Sequence, residues 1–223
     1  MSGASVSGSL LAIDTATSRV VVARGAVDGT LEDAATWEAG YRHGEALLPS
    51  IERLLAPVGG RAAIAAIIVG TGPGAFTGLR VGIATAKGLA HGLGCPIVGI
   101  PTGAALLAAF PGSGALLLPA GPSDRVLVRA GEPSRLLPGG TEPDLRADAV
   151  LLAVDLEGRA ADEALERGRA AWDGLAAALL RLGAERLAEA GGDGLEALVP
   201  DYVTLPRGVS ATTGEVAWSH DPR

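Results

Sequence analysis

The stretch that most constrains this chain is Gly70-Thr-Gly-Pro-Gly-Ala-Phe-Thr-Gly-Leu-Arg-Val-Gly-Ile-Ala-Thr-Ala-Lys-Gly-Leu-Ala90. Pro73 fixes φ, while Gly72 and Gly74 open conformations closed to residues with a Cβ. The backbone must therefore reverse sharply and enter a helix, predicted from about Thr77 to His91. Just before it, Ile64–Val69 (IAAIIV) has the short, apolar, β-branched character of a buried parallel strand. Backbone N–H groups at the start of such a helix suit an anion. The pattern is nevertheless no phosphate loop, because Lys87, the sole lysine, follows Ala86 and lies well inside the helix. A dinucleotide fingerprint fails as well: Thr77 stands where its last glycine belongs. The helix also carries Gly78, Gly82, Ala86 and Ala90 every four residues, a stripe almost bare of side chains. Two interior glycines cost about 1 kcal/mol each relative to alanine, so this stripe needs a partner in compensation. Two partners are open: the chain's own helix Gly44–Ala56, or a helix of another subunit.

Around this unit the pattern is regular. Leu10–Asp14 and Arg19–Arg24 read as strands joined by the turn Thr15–Ser18, and Thr30–Glu38 as a third strand completing a meander. Leu47, Leu48, Ile51, Leu54 and Leu55 mark one face of the helix Gly44–Ala56, with Pro49 near its first turns. Pro96–Ile100 is the next strand, and Thr102 is placed to cap a helix ending near Phe110. The predicted order is β, β, β, α, β, α, β, α. Pro111–Gly114 clusters turn residues and reads as a boundary. Beyond it, Ala115–Pro119, Arg125–Arg129 and Ser134–Leu137 read as strands and Ala149–Val154 as a central one. Ala161–Glu189 is helical, with Gly168, Gly174 and Gly183 expected to break it into pieces. The expected organisation is a disordered N-terminal tail (1–9), a first domain (10–111), a second domain (112–205) and a polar tail (206–223).

At 223 residues, 48% hydrophobic and 19% charged, the chain suits one large or two small globular domains. Its net charge is −7, and all the excess acid lies in residues 112–223, with eleven Arg or Lys against eighteen Asp or Glu. Such a field repels phosphate backbones, so nucleic acid is expected only through a partner that brings the basic surface. No apolar run is long enough to span a membrane, and Met1–Ser9 lacks the basic residues of a secretory leader, so a cytoplasmic location is expected. Cys95 has no partner for an intrachain disulfide and reads as buried at the start of a strand. His43, His91 and His220 are far apart, without metal-ligand spacing, and no nucleophile elbow is present. Trp37, Trp172 and Trp218 are too widely separated to suggest a base-stacking platform. Asp14 ends a strand just before a Thr/Ser turn, which its carboxylate is placed to cap.

The segments LLAIDTAT (Leu10–Thr17), HGEALLPSIERLL (His43–Leu55), Gly70–Ala90 and PIVGIPT closely resemble the bacterial tRNA threonylcarbamoyladenosine biosynthesis family TsaB, also called YeaZ. That resemblance covers residues 10–110 and implies an actin-like ATPase (ribonuclease H-like) α/β fold of two related domains, the second divergent. It implies a non-catalytic subunit that pairs with the transferase TsaD, and with the ATPase TsaE, in moving threonylcarbamoyl onto tRNA. Alone, such a subunit is a homodimer. The implied pairing surface is His43, Leu47, Leu48 and Ile51 of the first helix with Gly78, Arg80, Gly82, Ile83, Ala86 and Ala90 of the second, which favours the intersubunit reading of the stripe. Charge at Gly82 or Ala86 is then expected to abolish pairing and leave the fold intact.

Asp14, Thr15 and Thr17 are the implied vestige of a nucleotide site. No catalytic residue, metal or cofactor is implied for the isolated chain, with ATP and magnesium entering only in the assembled complex. Several residues depart from the ATPase pattern. Ala16 replaces the glycine of the first phosphate turn, and Val154-Asp155-Leu156-Glu157-Gly158 stands where the second is expected. Gly191-Gly192 fits either an adenosine loop or a helix C-cap. The metal-binding His-x3-His of the transferase is replaced by Pro101–Ala105. The competing readings are a self-sufficient actin-like ATPase or small-molecule kinase and, more weakly, a metallopeptidase.

Overall fold

A computed structural model describes residues 8–38, 45–146 and 148–203, together with the backbone of 209–212 and 215–218. Two mixed β-sheets enclose a pair of helices. The first sheet holds β1 (Ser9–Asp14), β2 (Arg19–Gly25), β3 (Leu31–Glu38), β4 (Ile64–Gly70) and β5 (Ile97–Ile100) in the order β3-β2-β1-β4-β5. Its hairpins are antiparallel, whereas β4 runs parallel to β1, with Leu11 opposite Ile67, and β5 parallel to β4. The predicted meander and the predicted order of the first eight elements are both present. Ser9, assigned by sequence to the tail, is already a buried strand residue.

Strand residues alternate between the faces, and each face has its own cover. Leu11, Ile13, Val20, Val22, Ile67 and Val69 point toward α1 (Leu47–Leu55) and α2 (Phe76–Leu93). Leu10, Ala12, Val21, Ala23, Ile68 and Val98 point the other way, toward α3 (Thr102–Ala109) and α4 (Asp162–Ala190). Pro49 sits in the first turn of α1, where its missing N–H leaves no helical bond unmade.

The second sheet comprises β6 (Ser113–Ala120), β7 (Asp124–Val128), β8 (Arg135–Leu137) and β9 (Val150–Ala153) in the order β8-β7-β6-β9, with β9 parallel to β6. This repeats β3-β2-β1-β4 strand for strand. The repeat makes β9 the counterpart of β4, with no counterpart of β5 among the described residues, so Ala149–Val154 supplies an edge strand of this sheet and not the central one predicted. Leu116, Leu118, Val126, Val128 and Leu152 join the same hydrophobic core as α3, α4 and the inner face of the first sheet.

Helix α4 is continuous over 29 residues, about 43 Å of axis, and not the broken series expected. Its glycines mark close approaches: a Cβ would lie 1.9 Å from the Ala153 carbonyl oxygen at Gly168, 3.0 Å from that of Ala109 at Gly174, and 2.3 Å from Ile68 Cδ1 at Gly183. The helix ends at Gly191, whose positive φ and N–H bond to the Leu187 carbonyl make it a C-cap and settle the choice posed by Gly191-Gly192. From there residues 191–203 return along the edge of β5. Asp193 donates its N–H to the Ile97 carbonyl and accepts the Gly99 N–H, and Asp201 N–H bonds to the Thr71 carbonyl. The backbone of the polar tail contains the hairpin β10 (Val209–Thr212) and β11 (Glu215–Trp218).

Candidate functional site

The turn Thr15–Ser18, the glycine loop and the end of β9 meet at the cleft between the sheets, and contacts within the chain occupy most of their polar groups. Asp14 ends β1 fully buried. Its carboxylate accepts the Thr102 hydroxyl at 2.7 Å and the Ala16 N–H at 2.9 Å. Burial pushes its pKa up to about 6, the two hydrogen bonds opposing the rise. The Thr102 hydroxyl in turn accepts the Gly72 N–H at 3.0 Å. Thr102 is thus the first residue of α3 without capping it: its side chain ties three segments 88 residues apart in sequence at the widest. A Cβ at Gly70 would lie 1.8 Å from Asp14 Oδ2, so glycine there is the condition for this contact.

The next glycines accommodate the same turn. A Cβ at Gly74 would come within 2.1 Å of the Ala16 carbonyl oxygen, and one at Gly78 within 2.1 Å of the Thr15 carbonyl oxygen. At Gly82 it would come within 2.2 Å of Thr15 Oγ1. Thr15 donates its hydroxyl to the Gly78 carbonyl at 2.7 Å, and Ala75 donates its N–H to the Ala16 carbonyl at 2.6 Å. The first two glycines of the helical stripe therefore seat the β1–β2 turn, and neither of the two helices offered as their partner is what they face. At least two N–H groups of the loop, those of Gly72 and Ala75, are engaged inside the chain and not held out to an anion.

Thr17 and its neighbours reach the second half. The Thr17 hydroxyl donates to the Arg19 carbonyl and accepts the indole N–H of Trp172 at 3.1 Å. Asp155 accepts both the N–H of Ser18, at 2.7 Å, and its hydroxyl. Burial raises the Asp155 pKa, with Ser18 opposing. Arg19 lies 4.9 Å above the Trp172 ring and pairs with Asp173 at 3.0 Å. Because β6 and β7 repeat β1 and β2, the counterpart of the first phosphate turn is Gly121–Ser123. Asp155 belongs instead to the β9–α4 connection, which corrects the placement of the second phosphate turn at Val154–Gly158. What remains open is a cleft of about 300 Å³ lined by Ala16, Thr17, Gly74, Leu118, Asp155 and Tyr202 among others. Asp14 and Thr15 do not line it. At its rim Arg80 stacks 3.8 Å from the Phe76 ring and donates to the Tyr202 hydroxyl at 3.0 Å.

Of the residues expected to form the pairing surface, Leu47, Ile51, Gly78, Gly82, Ile83, Ala86 and Ala90 are buried within this chain, because they are the faces by which α1 and α2 cover the first sheet. Leu48, 51% exposed, and Arg80 point outward. His43 lies outside the described residues. The outward face of α2 instead carries Arg80, Ala84 and Gly88, and a Cβ at Gly88 or Gly92 would meet no atom within 4 Å. Cys95 is half-buried, which raises its pKa. No group of three His, Cys, Asp or Glu among the described residues is arranged to hold a metal, and no helix among them is long and apolar enough to cross a membrane.

The duplicated strand order, with an acid-ended first strand at the cleft between the two sheets, defines an actin-like (ribonuclease H-like) α/β protein of two related halves. Residues 37–199 match the family model described as TsaD, tRNA N6-adenosine threonylcarbamoyltransferase. The chain is 42% identical over 95 residues to the tRNA threonylcarbamoyladenosine biosynthesis protein TsaB of Escherichia coli (strain K12), covering 42% of this chain and 40% of that protein. It is 44% identical over 96 residues to an uncharacterized protein of Mycobacterium leprae (strain TN), covering 41% of this chain and 26% of the other. The chain thus spans less than half the length of these curated relatives. The structure of YeaZ from Pseudomonas aeruginosa superposes with a TM-score of 0.67 at 24% identity, covering 87% of this chain and 99% of that one. The chain belongs to the family that the TsaD model describes, and its likenesses to TsaB and YeaZ place it with the TsaB/YeaZ members.

Sequence reasoning singled out Asp14, Thr15, Thr17, Asp155 and Thr102, but not which residues pair. Thr102–Asp14, Ser18–Asp155 and Trp172–Thr17 are 88, 137 and 155 residues apart, with no local pattern to announce them.

Proposed function

We propose that this chain is a non-catalytic subunit of the machinery that makes threonylcarbamoyladenosine on tRNA, pairing with a TsaD-type transferase and acting with a TsaE-type ATPase. Kinship with the TsaB/YeaZ family supports the pathway. The observation that carries the non-catalytic part is the engagement of Asp14, Thr15 and Thr17 inside the chain, where an active ATPase holds such groups toward phosphate. A transferase role for the chain itself lacks the His-x3-His expected after β5. In this reading nucleotide and magnesium belong to the assembled complex, tRNA is reached only through it, and the chain alone is a homodimer. Pairing uses the outward sides of α1 and α2, through Leu48, Arg80, Ala84 and Gly88, while the buried stripe keeps the helix seated. Binding favours the active transferase only to the extent that its active state is held more tightly than its inactive one.

Size-exclusion chromatography with light scattering, on the chain alone and mixed with the TsaD-type protein of the same organism, tests this. A homodimer that converts to a heterodimer is expected, and Gly88→Glu, which adds a charge on the open face, should abolish both. A heterodimer formed equally well by Gly88→Glu and Ala84→Glu would refute the surface. Absence of any complex at micromolar concentration, together with ATP turnover by the chain alone, would favour the solitary ATPase.

A further inference from the structure

Three consecutive residues, the last two of the β1–β2 turn and the first of β2, each hold a different side chain of the second half. Thr17 accepts from Trp172, Ser18 gives two hydrogen bonds to Asp155, and Arg19 pairs with Asp173 while lying over the Trp172 ring. Asp155 is, among the described residues, the non-glycine residue with positive φ, at 57°. Residues with a Cβ rarely adopt that conformation, and Asp does so where its short carboxylate is held by hydrogen bonds. Here both donors of Ser18 converge on its carboxylate. The turn thus grips the β9–α4 connection and the middle of α4, two sites in different layers of the molecule. Neither grip is needed to build a strand or a helix.

We infer that Thr17–Arg19 is an interlobe clasp, a device that pins the cleft end of the two halves in one arrangement, in addition to the core they share along α3 and α4. This inference is independent of the pairing proposal, because none of Leu48, Arg80, Ala84 and Gly88 makes a contact of the clasp.

Hydrogen exchange of the full-length chain, read by mass spectrometry, tests it. In the wild type, amides of residues 15–19 and 154–161 should exchange slowly and equally with and without Mg-ATP. Ser18→Ala should speed exchange in those two segments together by about tenfold and leave β4 and α2 unchanged, the mark of a local opening. Asp155→Gly separates the clasp from the backbone conformation, since glycine accepts φ 57° freely but carries no carboxylate. It should loosen the same two segments by the same factor, and the double variant by no more than either single one. Arg19→Ala, at a partly exposed ion pair, gives a third variant that should loosen residues 15–19 should either of the others fail to fold. Fast exchange of these segments in the wild type, an Asp155→Gly chain as protected as wild type, or a rise spread evenly over the whole chain would each overturn the clasp. So would opening of the two segments on addition of Mg-ATP.

Discussion

Helix α2 has two glycine pairs, and they are glycine for opposite reasons. Gly78 and Gly82 face inward, where a single Cβ would come within 2.2 Å of an atom of Thr15. Gly88 and Gly92 face outward, where the same atom would meet nothing. The sequence shows one repeating small-residue pattern. Spatially the inner pair is a requirement of this chain's own folding, and no contact among the described residues calls for the outer pair.

The largest expected effect comes from breaking the inner side. Gly82→Glu would drive a carboxylate into Thr15 and unseat the turn below it, so a loss of more than about 4 kcal/mol is expected, close to the total stability of many domains. Urea unfolding followed by circular dichroism reads this directly. A stable, cooperatively folding Gly82→Glu chain would return the stripe to the intersubunit role first read from sequence, in which charge there spares the fold.

A smaller, pH-dependent effect lies beneath the same turn. The Asp14 pKa is raised to about 6 from the ordinary 3.8, so the folded state holds a proton that the unfolded state has released. Its stabilising contribution is present below pH 4 and is lost as pH rises through 6, amounting to about 3 kcal/mol across that window. Asp14→Asn keeps the acceptor for the Ala16 N–H but cannot ionise. The difference in stability between wild type and Asp14→Asn should therefore shift toward the variant as pH goes from 4.5 to 7. A pH-independent difference would mean that the carboxylate is not buried in solution.

The smallest effect sharpens the outer side. Gly88→Ala adds a methyl group into open space in the interior of a helix, and should stabilise the chain by about 1 kcal/mol and raise its Tm by a few degrees in thermal unfolding. Destabilisation instead would show that the outer face is already covered, by the chain itself or by a second copy of it.

The first half was readable because its signals are local. The β-branched runs, the glycine loop and the 3.6-residue spacing of Leu47, Ile51, Leu54 and Leu55 each report on neighbours only a few residues away. The second half was read less well for the same reason. Whether Ala149–Val154 is central or at an edge depends on which strands exist elsewhere, and an apolar strand looks alike in both places until α4 is known to cover it. Gly168, Gly174 and Gly183 resembled helix breaks because a glycine's local cost is visible in sequence and the atoms it makes room for, Ala153, Ala109 and Ile68, are not. At the site, the residue types at Asp14, Thr15 and Thr17 were recognised, but their orientation was not. An acid at a strand end next to a glycine loop has the same composition whether its carboxylate faces a phosphate or the hydroxyl of Thr102.

The shared core has a consequence for how the chain comes into being on the ribosome. Leu10, Val21, Ile68 and Val98 of the first sheet are covered on one side by Leu175, Leu179 and Leu180 of α4, which are synthesised last among these groups. For the seconds of elongation between Ile100 and Leu180, at roughly 5–20 residues per second, the apolar face of the five-stranded sheet has at most α3 against it. Nascent chains of this protein are thus exposed to chaperone capture and misassociation until a single late helix arrives. Truncations that stop short of α4 should inherit that exposed face permanently.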